Sequence, residues 1–197
     1  SEASVLGTQE RLSCPNAAFV NGTACHGLDF DDGYTLGSVH PSGAVFPAIM
    51  AIAEKNQCSA ADVMVAAVAA YDVTTRIASS MHPSSARRGF HNTPVAGVIG
   101  AAAGVSRLLK LDAKTTLDAM GIAGSMASGI IEYLAEGTWT KRMHAGWAAQ
   151  SGIRAALMAR GGFLGPRTVY EGTHGFYKAF APSVKPDFAP LLDQLGK

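Results

Sequence analysis

Small residues crowd the stretch from residue 91 to 109, and this crowding constrains the fold more than any other feature. Gly97, Gly100 and Gly104 lie there among alanines and valines. Glycine lowers intrinsic helicity, but it lets a neighbouring backbone approach closely. The stretch therefore predicts a helix in tight contact with other helices. The whole sequence follows this pattern, because 34 of its 197 residues are alanine and 22 are glycine.

Start and stop signals divide the rest of the chain into further helices. Ser13, Ser59 and Asp112 belong to the residue types that cap helix N-termini, and a pair of glycines ends the last long helix. No stretch alternates apolar and polar residues for long enough to predict a sheet. The sequence predicts an all-α, bundle-like domain over residues 1–197, with loops over 29–43 and 82–89, long helices over 14–28, 45–55, 60–80, 91–109, 112–128 and 138–160, and short helices over 167–172 and 188–195.

The charge balance argues against a nucleic-acid surface, and the hydropathy pattern argues against a membrane span. There are 16 Lys and Arg against 15 Asp and Glu, and no basic tract that could neutralise phosphates. The apolar windows are shorter than the roughly 20 residues needed to cross a bilayer. Only 16% of the residues are charged, so we expect an oligomer or a part of a larger protein that covers much of the surface.

The cysteines indicate a reducing compartment. Cys14, Cys25 and Cys58 are an odd number at irregular spacings. Neither a disulfide framework nor a zinc site has this pattern. We therefore expect three reduced thiols in a cytoplasmic protein.

Three carboxylates lie close together at a predicted helix-to-loop boundary: Asp29, Asp31 and Asp32. Because they repel one another, they need a cation, hydrogen-bond donors or water nearby. Three interpretations stay open. The carboxylates could hold a divalent metal ion, one of them could orient a catalytic histidine, or they could bond backbone amides at a helix end and face water.

Two histidines, His40 and His91, are flanked by residues that fix a loop or a helix start. A histidine in such a place can titrate near neutral pH and transfer a proton. A hydrogen-bonded structural role is the alternative for each of them. The other four histidines have more ordinary settings, although His144 stands out because it lies one helical turn after Lys141.

Lys141 and Arg142 fall at the predicted start of a helix, where cations oppose the helix dipole. Free backbone N–H groups together with cationic side chains suit a bound carboxylate or phosphate. Arg87 and Arg88 could add carboxylate contacts or form salt bridges. The sequence carries neither a phosphate-binding loop nor a Gly-x-Ser-x-Gly elbow. The Asp, His, Lys and Arg side chains that remain suit abstraction of a proton beside a carboxylate, without a metal or organic cofactor.

Several of these segments form an ordered set. They are Leu28-Asp29-Phe30-Asp31-Asp32, His40-Pro41-Ser42-Gly43, Gly89-Phe90-His91, Thr140-Lys141-Arg142-Met143-His144-Ala145-Gly146, Gly161-Gly162-Phe163-Leu164-Gly165-Pro166, and Glu171-Gly172 with Gly175-Phe176. Each piece is weak by itself, but the ordered set resembles the MmgE/PrpD family. That family includes 2-methylcitrate dehydratase, cis-aconitate decarboxylase and iminodisuccinate epimerase.

The resemblance implies a large helical domain with a smaller α+β lid domain, a homodimer, and metal-free chemistry on small di- or tricarboxylates. By their place in the motifs, Asp29, His40, His91 and Lys141 match catalytic residues of the family. Lys141, together with Arg88, would bind substrate carboxylates. The sequence thus predicts a dehydratase, a lyase that acts on a substrate such as 2-methylcitrate by abstracting an α-proton.

Two departures from the family pattern bear on this prediction. Gly33 stands where decarboxylases of the family often have Thr, and the loop to His40 is longer, which places dehydration or epimerisation ahead of decarboxylation. Relatives are also much longer. We expect the N-terminal helices and the lid domain to be missing, unless a separate chain supplies the lid.

A half-built site neither excludes water nor holds a substrate in reacting geometry, so the chain alone would be a poor enzyme. Two rival hypotheses stay open. One is a non-catalytic helical assembly module, and the other is a metal-dependent hydrolase built on the three aspartates.

Overall fold

The structure, a computed structural model, describes residues 2–182 and 188–195. Helices dominate it, which confirms the predicted all-α class. A two-stranded antiparallel hairpin, β1 (Ala3–Ser4) and β2 (Arg11–Leu12), precedes them. The helices are α1 (Cys14–Cys25), α2 (Pro41–Asn56), α3 (Ala60–Met81), α4 (Ser84–Arg87), α5 (Asn92–Leu108), α6 (Ala113–Met126), α7 (Tyr133–Glu136), α8 (Thr140–Arg160), α9 (Phe176–Phe180) and α10 (Ala189–Leu192).

Helix α5 forms the centre of the bundle. All of its residues are buried except Arg107, and it packs against α2, α3, α6 and α8. A helix that is apolar on every side must lie inside a domain. The small-residue stretch of the sequence is therefore the core helix around which the others are arranged.

Glycines allow these helices to approach closely, as the sequence predicts. A Cβ atom on Gly100 of α5 would lie 2.7 Å from the Ala70 carbonyl oxygen of α3. A Cβ on Gly97 would lie 2.6 Å from the Cβ of Ala44 in α2. Between α1 and α8, a Cβ on Gly22 would lie 2.7 Å from the Cα of Gly146. Any larger side chain at these crossings would push the helices apart.

Two of the three predicted N-caps make the expected hydrogen bond, whereas Ser13 precedes α1 without a side-chain hydrogen bond to it. Two helix ends differ from their predictions by three residues or more. Ser59 accepts a hydrogen bond from the Asp62 amide at 3.1 Å, and Asp112 accepts one from the Thr115 amide at 2.7 Å. Helix α2 begins at Pro41 rather than at residue 45, because proline is favourable in a first turn. Helix α1 ends at Cys25, before the predicted end at residue 28.

The prediction of a helix over 167–172 is wrong. Those residues form turns, in which the Gly172 amide donates to Thr168 O and the Phe176 amide donates to Val169 O. The short helix of this region is α9 instead. The predicted helix over 188–195 is reduced to α10, and residues 193–195 form a turn. Four short elements of the described residues have no counterpart in the prediction: the β1–β2 hairpin, a 3-10 helix (Thr35–Gly37), α4 and α7. Residues 1, 183–187 and 196–197 of the predicted domain lie outside the described part of the chain.

None of the helices in the described ranges is both long enough and apolar enough to cross a membrane.

Candidate active site

The N-terminal ends of three helices meet at one end of the bundle and carry three of the predicted site residues. His40 immediately precedes α2, His91 immediately precedes α5, and Lys141 lies in the first turn of α8. The loop after α1 brings Asp29 to the same place. Helix N-termini carry a partial positive charge and unpaired N–H groups. This end of the bundle is therefore suited to anions.

Asp29 and Lys141 form an ion pair across the site. The Lys141 Nζ atom donates to both carboxylate oxygens of Asp29 at 2.6 Å. This contact lowers the pKa of Asp29, so the carboxylate is charged at neutral pH. Asp29 has a left-handed backbone conformation, with φ of +54°. Aspartate tolerates this conformation better than most residues, and it turns the chain sharply after α1.

Asp31 contacts two histidines. Its buried carboxylate lies 2.8 Å from His26 Nδ1 and 3.5 Å from His40 Nδ1. The His40 Nε2 atom lies 3.8 Å from Asp29 Oδ1. The His26 contact is a hydrogen bond, whereas the longer His40 contact is not. A carboxylate beside Nδ1 favours the tautomer with its proton on that nitrogen and leaves Nε2 free to accept a proton. Of the three open interpretations for the acidic cluster, orientation of a histidine therefore suits Asp31 best.

Asp32 has a different function from its neighbours. It accepts a hydrogen bond from the Ser42 amide in the first turn of α2 at 3.0 Å, and another from the Tyr71 hydroxyl at 2.9 Å. The carboxylate thus satisfies a free N–H of α2 and ties the loop to α3. This contact matches the interpretation in which an aspartate bonds backbone amides at a helix end.

Two sets of hydrogen bonds hold the histidine-bearing loops against α5. The His40 amide donates to Thr93 Oγ1 at 3.0 Å, and Asn92 Nδ2 donates to Gly37 O at 2.7 Å. The His91 amide donates to Gly129 O at 3.0 Å, which joins the start of α5 to the loop after α6. Because both loops are tied to the same helix end, His40 and His91 face a common space.

His91 and His144 form a buried pair. Their Nδ1 atoms lie 3.0 Å apart, and the ring of Tyr133 meets both imidazoles edge-on. The His26 ring stacks on His91 with a centroid distance of 5.9 Å. Burial lowers the pKa of His91 to about 2 and that of His144 to about 4, so both are neutral at pH 7.

A small cavity of about 230 Å³ opens between these groups. His40, His91 and Lys141 line it together with seven other residues: Ser38, Ala86, Phe90, Asn92, Ile131, Tyr133 and Leu134. Drug-sized pockets measure roughly 300–1,000 Å³, so this one suits a small molecule. A larger cavity of about 800 Å³ lies elsewhere, between α2, α3 and the N-terminal hairpin, and its lining is mostly apolar.

Arg88 lies apart from the other predicted site residues. Its guanidinium donates to Ala179 O and lies 5.7 Å from the centre of the Phe90 ring. Within the described residues, Arg88 is not among the side chains that line the 230 Å³ cavity. The structure brings Asp29, His40, His91 and Lys141 together, and it directs Arg88 towards α9.

The same cluster contains metal-ligating types of side chain. His26, Asp29, Asp31 and His40 each offer one ligand atom, and all four atoms lie within 4.8 Å of one another. Two imidazoles and two carboxylates could bind a transition metal ion. Asp29, however, already pairs with Lys141, and Asp31 is already hydrogen-bonded to His26. A metal ion would have to compete with both sets of contacts.

The sequence of this chain matches the MmgE/PrpD N-terminal domain over residues 1–189. The chain belongs to the MmgE/PrpD family. Among the similar members are the cis-aconitate decarboxylase-like protein oryM of Aspergillus oryzae, which is 33% identical over 98% of this chain, and the cis-aconitate decarboxylase of Homo sapiens, which is 36% identical over 93% of it. The cis-aconitate decarboxylase of Aspergillus terreus is 30% identical over 89% of the chain. The chain spans 43%, 40% and 37% of the lengths of these relatives.

Residue types and spacing along the chain do not identify several residues of this candidate site. They predict an ordinary setting for His26 and give no signal for Tyr133. His144 carried one signal, since it lies a helical turn after Lys141 and so shares a face with it. No pattern along the chain announces the His26–Asp31 contact, because it depends on how the loop folds back onto the end of α1.

Proposed function

We propose that this chain forms the helical part of a metal-independent lyase site for a small di- or tricarboxylate. The observation that carries the proposal is the convergence of Asp29, His40, His91 and Lys141 beside one small cavity at three helix N-termini. The names of the similar family members, which refer to cis-aconitate decarboxylation, support the same substrate class.

In the proposed reaction, Lys141 binds a substrate carboxylate and stabilises the negative charge that develops on the enolate-like intermediate. His40 takes the proton α to that carboxylate, because Asp31 lies beside its Nδ1 and leaves Nε2 as the acceptor. His91, which also lines the cavity, donates a hydrogen bond to the substrate, and the departing hydroxyl leaves as water with the proton that His40 has taken. Asp29 holds the Lys141 ammonium in place until substrate arrives.

Dehydration of a 2-methylcitrate-like substrate follows these roles as stated. Decarboxylation of cis-aconitate would use Lys141 in the same way, but loss of CO₂ replaces loss of the α-proton, and a general acid at the site then supplies a proton to the carbanion. The presence of Gly33 instead of a hydroxyl-bearing residue favours dehydration, whereas the names of the relatives favour decarboxylation. Assays with both substrates distinguish the two reactions. They use the chain alone and the chain together with the remaining part of a relative, supplied as a separate chain. Release of CO₂ from cis-aconitate without dehydration of 2-methylcitrate would place decarboxylation ahead of dehydration.

Binding can be tested without turnover. Titration of the chain with citrate, 2-methylcitrate and cis-aconitate should raise its melting temperature, since a ligand that binds only the folded state stabilises it. Lys141→Gln should abolish the effect. Arg142→Gln is the matched control, because Arg142 is the next residue but lies over the Trp139 ring, 4.8 Å from its centre. An absence of stabilisation in the wild-type chain would support the non-catalytic assembly module instead.

The His₂Asp₂ cluster supports a second candidate, a metal-dependent site. Elemental analysis of the purified chain tests it. A stoichiometric divalent ion that is lost in His26→Ala and Asp31→Ala variants would favour this candidate over the metal-independent one.

We propose further that the chain works as a homodimer in the cytoplasm. Its exposed apolar face on α2 and α3 supports the first statement, and its three unpaired cysteines support the second.

A further inference from the structure

The contact between His91 and His144 restricts where their protons can be. An N···N distance of 3.0 Å between two Nδ1 atoms is a hydrogen bond with one donor and one acceptor. A neutral imidazole carries one proton, on either Nδ1 or Nε2. The two rings must therefore have opposite tautomers: one carries its proton on Nδ1 and the other on Nε2.

The surroundings keep the pair neutral. Both side chains are buried, at 7% and 5% relative exposure. The groups facing them are the His26 ring, the Tyr133 ring and, across the cavity, the cationic Lys141 with its partner Asp29. Burial lowers the pKa of both imidazoles, and for His91 the neighbouring His144, His26 and Lys141 act in the same direction. The resting pair therefore has no net charge and holds two protons, one of them in the hydrogen bond between the Nδ1 atoms.

Two features decide which ring is the donor. His91 precedes the first turn of α5, and Nδ1 is its ring nitrogen nearer to the backbone. The positive end of the helix favours a lone pair at that position. The carboxylate groups of a ligand in the cavity accept hydrogen bonds, so they also favour a proton on His91 Nε2, the nitrogen that His144 leaves available.

We infer that His144 is a positioning residue: it donates its Nδ1 proton to His91 and so holds His91 as a neutral hydrogen-bond donor, with the proton on Nε2, facing the substrate. This inference deepens the proposed function and rests on it for the identity of the ligand. It also gives the two catalytic histidines different roles. His91 stabilises charge as a hydrogen-bond donor, and His40 is the one of the two whose Nε2 atom can accept a proton. A neutral imidazole at a helix N-terminus is a known way of polarising an oxygen of a substrate.

Nitrogen-15 NMR of the histidine side chains tests the inference directly, because protonated and bare ring nitrogens have widely separated shifts. In the ligand-free chain at pH 7, His91 should carry its proton on Nε2 and His144 on Nδ1. Single His91→Asn and His144→Asn variants assign the signals among the six histidines. The same tautomer on both rings, a charged ring, or a proton on His91 Nδ1 would overturn the inference.

The second arm uses citrate as the probe. His144→Leu should weaken citrate binding about tenfold, as expected for the loss of one buried hydrogen bond. His144→Asn, whose amide can still donate near the position of Nδ1, should restore most of the affinity. Equal affinities for wild type and His144→Leu would contradict the positioning role. Failure of the wild-type chain to bind citrate would refute the proposed function instead, and the ligand-free spectrum would then decide the tautomer assignment by itself.

Discussion

At the scale of single residues, the three clustered aspartates have three different partners. Asp29 pairs with Lys141, Asp31 with two imidazoles, and Asp32 with the start of α2. Their mutual repulsion is relieved because each one has its own cation, ring nitrogen or N–H donor. Replacement of Asp31 or of Asp32 by asparagine allows their contributions to stability to be compared directly.

Asp31→Asn should destabilise the fold, because it removes the charged partner of the buried His26 ring. Hydrogen bonds to charged groups contribute about 1.5–3 kcal/mol, and we expect a loss of that size in urea unfolding. Asp32→Asn is the control, since asparagine caps helices as well as aspartate does. Equal unfolding midpoints for the two variants would argue against a special role for Asp31.

The buried histidines also make the fold sensitive to acid. His91 and His144 have pKa values of about 2 and about 4 in the folded chain, below the unfolded value of about 6.5. The unfolded state therefore binds more protons below pH 6.5, and the free energy of unfolding falls as pH falls. Each histidine that stays neutral in the folded chain lowers the free energy of unfolding by about 2 kcal/mol between pH 7 and pH 5.

Urea unfolding at pH 7 and pH 5 measures this loss. A His91→Asn/His144→Asn double variant should show a smaller difference between the two pH values. Replacing the exposed His174 by Asn should leave the difference unchanged. A wild-type chain that is equally stable at both pH values would contradict the account of the pair.

Residue types and their neighbours in sequence allowed only part of this site to be predicted. Lys141 at a helix start and His40 before a proline are local signals, and the family resemblance connected them with Asp29 and His91. The contact between His91 and His144 joins residues 53 positions apart. Nothing local to either histidine indicates it, because it arises from the packing of α5 against α8.

At the scale of elements, the crossing of α1 and α8 sets the distances within the site. The crossing lies at Gly22 and Gly146, where the two backbones are in direct contact. Lys141 lies on the same helix as Gly146, and Asp29 lies in the loop that follows α1. A change in the spacing of these helices would therefore move the Lys141 ammonium relative to the Asp29 carboxylate.

Gly146→Ala should destabilise the fold although alanine is the better helix former. Its Cβ would lie 2.9 Å from the Thr23 amide nitrogen, and overpacking of this kind costs about 1–3 kcal/mol. Thermal unfolding measures the effect. Gly33→Ala is the control, because a Cβ there meets nothing within 4 Å. Ligand affinity should fall in the first variant as well, as the ion pair is displaced.

The long elements were predictable because their signals are local. Ser59 and Asp112 cap α3 and α6 as expected, and the glycines of α5 predicted its close packing. The β1–β2 hairpin was missed because each strand has only two residues, too few to show an alternating pattern. The predicted start of α2 is too late in the sequence, because its first turn is stabilised by Asp32, a residue of the preceding loop.

At the scale of the whole molecule, one side of the bundle exposes an apolar face. Met64 on α3 is 67% exposed and Met50 on α2 is 53% exposed, and both line the 800 Å³ cavity. An apolar face of this kind is a typical interaction surface. The low charge content of the sequence led to the same expectation of a covered surface.

If the proposed homodimer uses this face, a Met64→Lys/Val68→Lys double variant should be monomeric at concentrations where the wild-type chain is dimeric. Size-exclusion chromatography with light scattering measures the mass. Leu134→Lys is the control, because Leu134 is also exposed but lies at the 230 Å³ cavity instead. A double variant that still dimerises would place the interface elsewhere.

The Asp29–Lys141 ion pair has a consequence for binding, because a carboxylate of the chain already matches the positive charge of Lys141. An entering polyanion must share Lys141 with Asp29, and it adds negative charge beside Asp29 and Asp31. Binding of the ligand with one of its own carboxyl groups protonated would relieve this excess, at the cost of a proton taken from the buffer. Calorimetric heats of citrate binding should therefore depend on the ionisation enthalpy of the buffer, and identical heats in phosphate and Tris would contradict this expectation. Mild acidification would then raise the affinity for citrate while it lowers the free energy of unfolding. The ligand would therefore stabilise the chain most at the pH at which the free chain is least stable.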